Sequence, residues 1–377
     1  MTLNACGPVV ETERIIDEFQ DAPESGEKLA FSLAVVVPGL LMLEGVCSLI
    51  WVGSDYTKFR ESLPIAIESP EAFHARHDAE IGWEHIPGVQ IKDFYGPGRN
   101  ITINSDGFRG DEEYLGKKPP DRIRLVLLGD SFTLGYGVDD AQTYSAHLAR
   151  LNPTVQAVNV GQGGYSIGQC YLWHRRVGKQ LEPDSVVFAF ILDDIWRMES
   201  GRLANGYAMP GFEVRDGSIH VTDQPVPDKV TTGSVILEDG QTTDFFLERI
   251  LVLRTVDALI GDRGNGRDLG LRTEQLRVAQ AMFDEIHREL TAQKIPFVIM
   301  LMPELRELAV SSIFRNFAAA RSIPLLDVHD VFSQTDPAIV ETYYLPEQWH
   351  YFSETGNRFV AQELNAFLTR TVESYPK

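Results

Sequence analysis

A serine can attack an acyl carbon only if a base takes its proton, an acid orients that base, and donors receive the negative oxygen. Two stretches of this chain carry residue types for those parts. "RIRLVLLGDSFTLGYGV" (122–138) runs an apolar segment into a Gly-Asp-Ser turn at Ser131. "LPEQWHYFSETGNRFVAQEL" (345–364) places His350 three residues after Glu347. Ser131 is either a nucleophile at a strand end or the residue that opens the next helix, since small polar residues crowd both positions for local reasons. His350 is either a base whose imidazole Glu347 holds or a structural histidine.

Other residues compete for the same roles. "GYSIG" (164–168) matches the G-x-S-x-G elbow around Ser166, with a plain helix N-cap as the alternative. "GQGGYS" (161–166) falls short of a dinucleotide-binding G-x-G-x-x-G because Ser166 takes the third glycine. His329, between Asp327 and Asp330 in "LLDVHD", is an alternative base or part of a structural loop after a strand. "HARHD" (His74, His77, Asp78) is the nearest approach to a metal cluster, but no second pair of ligands stands out, so no metal is expected.

The elements that must position these residues follow from the apolar pattern. "IRLVLLG", "VQAVNVG", "SVVFAFIL", "IPFVIMLM" and "IPLLDV" are short runs, apolar on both faces. Helix-period segments lie between them, at 139–151, 166–180, 273–294, 305–321 and 354–372. Such alternation predicts a parallel sheet covered on both sides, with ligands at the carboxyl ends of its strands, where Ser131 would stand. The stretch 196–245 breaks the pattern. Within it "GFEVRDGSIHVTDQPVP" predicts a hairpin turning at Asp216-Gly217, an insertion able to overhang the strand ends.

Composition narrows the function further. The 377 residues carry 54 acidic against 34 basic side chains, a net charge of -20, which would repel nucleic acid and anionic lipid surfaces alike. The three cysteines, Cys6, Cys47 and Cys170, are too scattered for a disulfide framework.

Ahead of the sheet lie a polar, acidic tail (1–28) and the apolar segment "LAFSLAVVVPGLLMLEGVCSLIWVG" (29–53). As a helix that segment would reach about 37 Å, enough to span a bilayer with some tilt. Glu44 within it is costly there, and a buried core helix is the alternative. The expectation is a single-pass anchor with the catalytic domain outside the cytoplasm. The basic residues on the two sides, Arg14 and Lys28 against Lys58 and Arg60, balance and set no orientation. Residues 54–120 read as a connecting region packed on the domain formed by 121–377.

"LLGDSFTLGYGV", "NVGQGGYSIGQ", "FAFILDDI" and "EQWHYFSETG", in that order across 121–377, resemble the four blocks of the SGNH (GDSL-type) ester hydrolases. "INSDGFRGDEEY" before them resembles membrane-anchored bacterial members. The resemblance implies a flavodoxin-like three-layer α/β/α sandwich, here preceded by one apolar N-terminal helix. It implies Ser131 as nucleophile, His350 as base, the N–H groups of Ser131 and Gly164 as oxyanion donors, and no cofactor. It also implies an ester substrate, an O-acylated glycan or a smaller ester, with water or a second alcohol as acceptor.

Two positions depart from the family's pattern. Glu347 stands where an Asp is usual, one methylene longer but able to orient an imidazole. Asp193 stands where an Asn usually donates to the oxyanion, and an ionised carboxylate only accepts. That second departure leaves open a weakly active or inactive protein of the same fold that binds glycan or serves a membrane-associated assembly.

Overall fold

The computed structural model describes residues 35–39, 42, 45, 73–115, 118–198, 203–204, 207–228, 234–236, 242–244, 263–303, 308–346 and 351–376. All five apolar runs form strands: β1 (Ile123–Leu128), β2 (Val155–Asn159), β3 (Ser185–Phe190), β4 (Phe297–Leu301) and β5 (Leu325–Asp327). They join in one parallel sheet in the order β2-β1-β3-β4-β5. Leu125 of β1 pairs with Ala157 of β2 on one side and Ser185 of β3 on the other.

The α-helices among the described residues around the sheet are α1 (Ser131–Leu134), α2 (Tyr144–Leu151), α3 (Ile167–Val177), α4 (Asp193–Trp196), α5 (Arg263–Ala292), α6 (Leu308–Ala320), α7 (Val328–Ser333), α8 (Pro337–Glu341) and α9 (Glu354–Thr371).

Side-chain alternation along the strands sorts the core into two layers. Leu125, Leu127, Val187, Ala189, Val298 and Met300 face one side, with Tyr144 and Leu148 of α2 and Val360 and Leu364 of α9. Val126, Leu128, Val186, Phe188, Ile299 and Leu301 face the other, with Tyr171 of α3, Phe283 of α5 and Phe314 of α6. This is the expected three-layer α/β/α arrangement. The chain leaves β1 for β2 and then crosses back to β3, so the order reverses beside β1. The crevice at the carboxyl ends of β1 and β3 is therefore the place for a ligand in a sheet of this kind.

The hairpin forms as its sequence predicts: Gly211–Arg215 pairs antiparallel with Ser218–Thr222. Asp216 (φ 50°) and Gly217 (φ 76°) turn it in the left-handed conformation that a two-residue hairpin loop requires. It leans on α5, where Arg277 Nη2 donates to the Val214 carbonyl at 3.0 Å.

The described part of the connecting region, from residue 73 on, is tied to the sheet domain. Ala75–Asp78 pairs with Gly82–His85, and Arg109 bridges antiparallel to Asn159 at the end of the edge strand β2. The buried Arg109 guanidinium also ion-pairs with Asp140 at 2.5 Å.

Of the apolar segment 29–53, only 35–39, 42 and 45 are described, all helical; the rest of the expected span lies outside the described residues. No helix among the described residues is long and apolar enough to cross a membrane.

Candidate functional site

Ser131 is the first residue of α1, directly beyond the carboxyl end of β1, and is 4% exposed. Asp130 caps the helix: one carboxylate oxygen accepts from the Phe132 N–H at 2.9 Å, the other from the Ser131 hydroxyl at 3.2 Å. The Gly-Asp-Ser turn is thus both a cap and the seat of a hydroxyl.

The loop after β2 is locked against that turn. Gln162 N–H donates to the Gly129 carbonyl at 3.2 Å, and Asn159 Nδ2 donates to the Thr133 carbonyl at 2.7 Å. Gly161 lies so close that a Cβ there would stand 2.2 Å from the Leu134 nitrogen. Gly164 follows with φ of 74°, a conformation that favours glycine. Among the described residues, neither the Ser131 nor the Gly164 N–H has a hydrogen-bond partner.

Asp193 and Asp194 open α4 beyond the end of β3, and Arg197 follows one turn later. Its guanidinium meets three carboxylates: Asp194 at 2.6 Å, Asp193 at 2.9 Å and Asp130 at 3.6 Å. Burial pushes the Asp130 carboxyl up, against the opposing pull of Arg197. Burial raises Asp194 well above the usual carboxylate range, and the nearby Asp130 charge adds to the rise. The three acidic neighbours in turn hold the guanidinium firmly protonated against the cost of its own burial. The sequence reading missed Arg197, although its place four residues after Asp193 is the spacing of a helical ion pair.

Glu347 and His350 lie outside the described residues. The chain on either side of them is tied together and to α1. Leu345 N–H donates to the Tyr351 carbonyl at 2.8 Å, and Ser353 N–H donates to the Tyr343 carbonyl at 2.8 Å. Tyr351 stacks on Tyr136, with centroids 4.6 Å apart, and lies 5.5 Å from the ring of Phe132. Phe352 meets Phe132 edge-on at 5.1 Å. Phe132 is the residue after Ser131.

The competing candidates fall into local roles. Ser166 is a fully buried N-cap of α3, in a capping box with Gln169. His329 is the second residue of α7, and its backbone N–H is held by the Asp327 carboxylate at 3.1 Å. The end of β5 is three strand spacings from the end of β1, about 14 Å. The "HARHD" cluster is dispersed. His77 Nε2 contacts the Val226 carbonyl at 2.8 Å, Asp78 pairs with Arg176 at 2.7 Å, and His74 packs against His85. Among the described residues, no group of three or more His, Cys, Asp or Glu could hold a metal ion.

No family model and no curated protein matches this sequence. Similar solved structures include a member of the lipolytic protein G-D-S-L family from Veillonella parvula, at 14% identity and a TM-score of 0.36, covering 66% of this chain and 99% of that one. A lipase/acylhydrolase from Enterococcus faecalis is similar at 14% identity and a TM-score of 0.34, covering 65% and 95%. A catalytic mutant of an acetylxylan esterase from Geobacillus stearothermophilus is similar at 15% identity and a TM-score of 0.37, covering 68% and 96%.

Proposed function

We propose that this chain is a serine-dependent ester hydrolase of the SGNH type, working through an acyl-enzyme on Ser131. Ser131 Oγ attacks the ester carbonyl while His350 takes its proton. The C–O bond to the alcohol then breaks, and His350 returns the proton to the departing alkoxide. Water repeats the sequence on the acyl-enzyme with the same base, releasing the acid and freeing Ser131. Glu347 holds the imidazole and balances the imidazolium. The N–H groups of Ser131 and Gly164 receive the tetrahedral oxygen.

The observation that carries this reading is the placement of Ser131. It heads a helix at the strand-order reversal, and the Gly164 N–H stands on the loop locked against it. The residue following His350 stacks beside the same helix. Asp130 accepts the Ser131 hydroxyl in the resting arrangement, so the hydroxyl must turn from Asp130 to the base before attack.

An O-acylated carbohydrate is the proposed substrate, on the resemblance of "INSDGFRGDEEY" (103–114) to membrane-anchored bacterial members. The apolar segment 29–53 is proposed as a membrane anchor, supported by the exposure of Val35, Val36, Val37 and Met42. Resistance of the full chain to alkaline extraction from membranes tests that part; recovery in the soluble fraction contradicts it. A second reading, glycan binding without turnover, is favoured by the carboxylate of Asp193 beside the site. Hydrolysis of 4-nitrophenyl acetate, lost in Ser131→Ala and kept in Ser166→Ala, decides for the enzyme. No turnover by the wild type decides for binding alone.

A further inference from the structure

The Gly163–Gly164 peptide unit carries two groups that face opposite ways. It is trans, so the Gly163 carbonyl points away from the Gly164 N–H. The carbonyl is held by the indole of Trp83, whose Nε1–H donates to it at 3.1 Å. Trp83 comes from the ribbon before the sheet, not from the elements that carry Ser131, and it is fully buried.

Its own position is over-determined. The Tyr165 hydroxyl donates to the Trp83 carbonyl, and the Tyr165 ring meets the indole edge-on at 5.3 Å. Tyr207 stacks on the indole at 5.6 Å. Gln169 Nε2 ties the neighbouring Ile81 carbonyl to α3 at 2.8 Å. On the far side of the turn, Arg197 Nη1 donates to the Tyr165 carbonyl at 3.3 Å.

A buried indole needs some acceptor. The acceptor it has here is the back of a peptide whose front, the Gly164 N–H, has no partner among the described residues and lies on the loop whose start is locked against the Ser131 turn. On the ester-hydrolase reading above, we propose that Trp83 is a positioning residue for oxyanion stabilisation. Its indole N–H fixes the tilt of the Gly163–Gly164 peptide and so aims the Gly164 N–H at the tetrahedral oxygen. Accepting from Trp83 also polarises the amide, which strengthens the opposite N–H as a donor. A preset donor stabilises charge without reorganising at the moment of reaction, so the effect belongs to the transition state and not to substrate binding.

The test is Trp83→Phe, which keeps an aromatic ring in contact with Tyr165 and Tyr207 and removes the donor N–H. With 4-nitrophenyl acetate, kcat is expected to fall about tenfold with KM within about twofold, part of the larger loss that follows removal of a whole oxyanion donor. Inhibition by a phenylboronic acid, a tetrahedral mimic on Ser131, is expected to weaken by the same factor. Tyr165→Phe keeps the indole but removes the hydroxyl that holds the Trp83 carbonyl. It is expected to lower kcat in the same direction by a smaller factor, and it decides the matter should Trp83→Phe not fold.

A folded Trp83→Phe enzyme with wild-type kcat overturns the inference, as does one whose KM rises while kcat holds. Should Trp83→Phe not fold, wild-type kcat in Tyr165→Phe overturns it. A wild type that neither hydrolyses the ester nor binds the boronate overturns the hydrolase reading and this inference together. An active wild type with an indifferent Trp83→Phe overturns this inference alone.

Discussion

The Asp193 carboxylate lies 2.9 Å from Nη2 of Arg197, so the acidic side chain that opens α4 is paired with a cation. The same guanidinium serves Asp194 and Asp130, and through Asp130 it reaches the Ser131 hydroxyl. Asp193→Asn would leave that cation facing fewer charges and, on the ester-hydrolase proposal, place an amide donor beside the oxyanion. The expected result is a rise in kcat on an aryl acetate of less than about tenfold, because the half-exposed pair is screened by solvent. A fall in kcat would show that the Asp193 carboxylate has a role of its own in the reaction.

Arg197→Met strands Asp130 and Asp194, both buried, without their cation. Removing one partner of a buried ion pair typically costs about 3–5 kcal/mol. Urea unfolding is expected to show a loss of that order, partly recovered in the double variant Arg197→Met/Asp194→Asn. Equal stability of the wild type and Arg197→Met would mean that the cluster contributes nothing.

Much of this was legible in the sequence, for physical reasons. Strands buried on both faces carry mostly apolar side chains, so β1 to β5 were visible as short apolar runs. The Asp216-Gly217 pair specified its hairpin, because few residues take two successive positive φ angles easily. Ser166 read two ways because a nucleophile elbow and a helix N-cap use the same residue types, and the capping box with Gln169 gives it the local role. The contact of Arg197 with Asp130 could not be foreseen, because the two residues follow different strands and meet only when β1 and β3 pair. Trp83 was missed for the same reason: its hydrogen bond to Gly163 spans the connecting region and the sheet. The helical ion-pair spacing of Asp193 and Arg197 was visible and went unused.

His350 as base predicts an acid limb in the rate profile near the ordinary imidazole value of about 6.5. His350→Ala is expected to lose several orders of magnitude in kcat, and Glu347→Gln to be clearly impaired. His329→Ala should stay within a few fold of wild type, since α7 starts about 14 Å from the end of β1. The reverse ranking of the two histidine variants would move the base to the loop after β5.

His74 makes stability depend on pH. Burial, and secondarily the Arg109 cation, lower its imidazole from 6.5 to about 4. Burial and the facing His74 also lower His85. An unfolded imidazole binds its proton near 6.5, so below that pH the unfolded chain takes up more protons than the folded one. Stability is therefore full above about pH 6.5 and declines as pH falls toward 4, by on the order of 3 kcal/mol for His74. Urea midpoints at pH 7 and pH 5 are expected to differ less in His74→Phe than in the wild type. An unchanged difference would show that His74 does not carry the effect.

The central claim is that the Ser131 hydroxyl is the nucleophile. A fluorophosphonate forms a covalent adduct with an activated serine, and mass spectrometry of the digested protein locates that adduct. The account predicts one modified tryptic peptide, 125–150, with the phosphonyl group on Ser131 and no adduct in Ser131→Ala. An adduct on Ser166, or a wild type that takes up no label while folded, would contradict it.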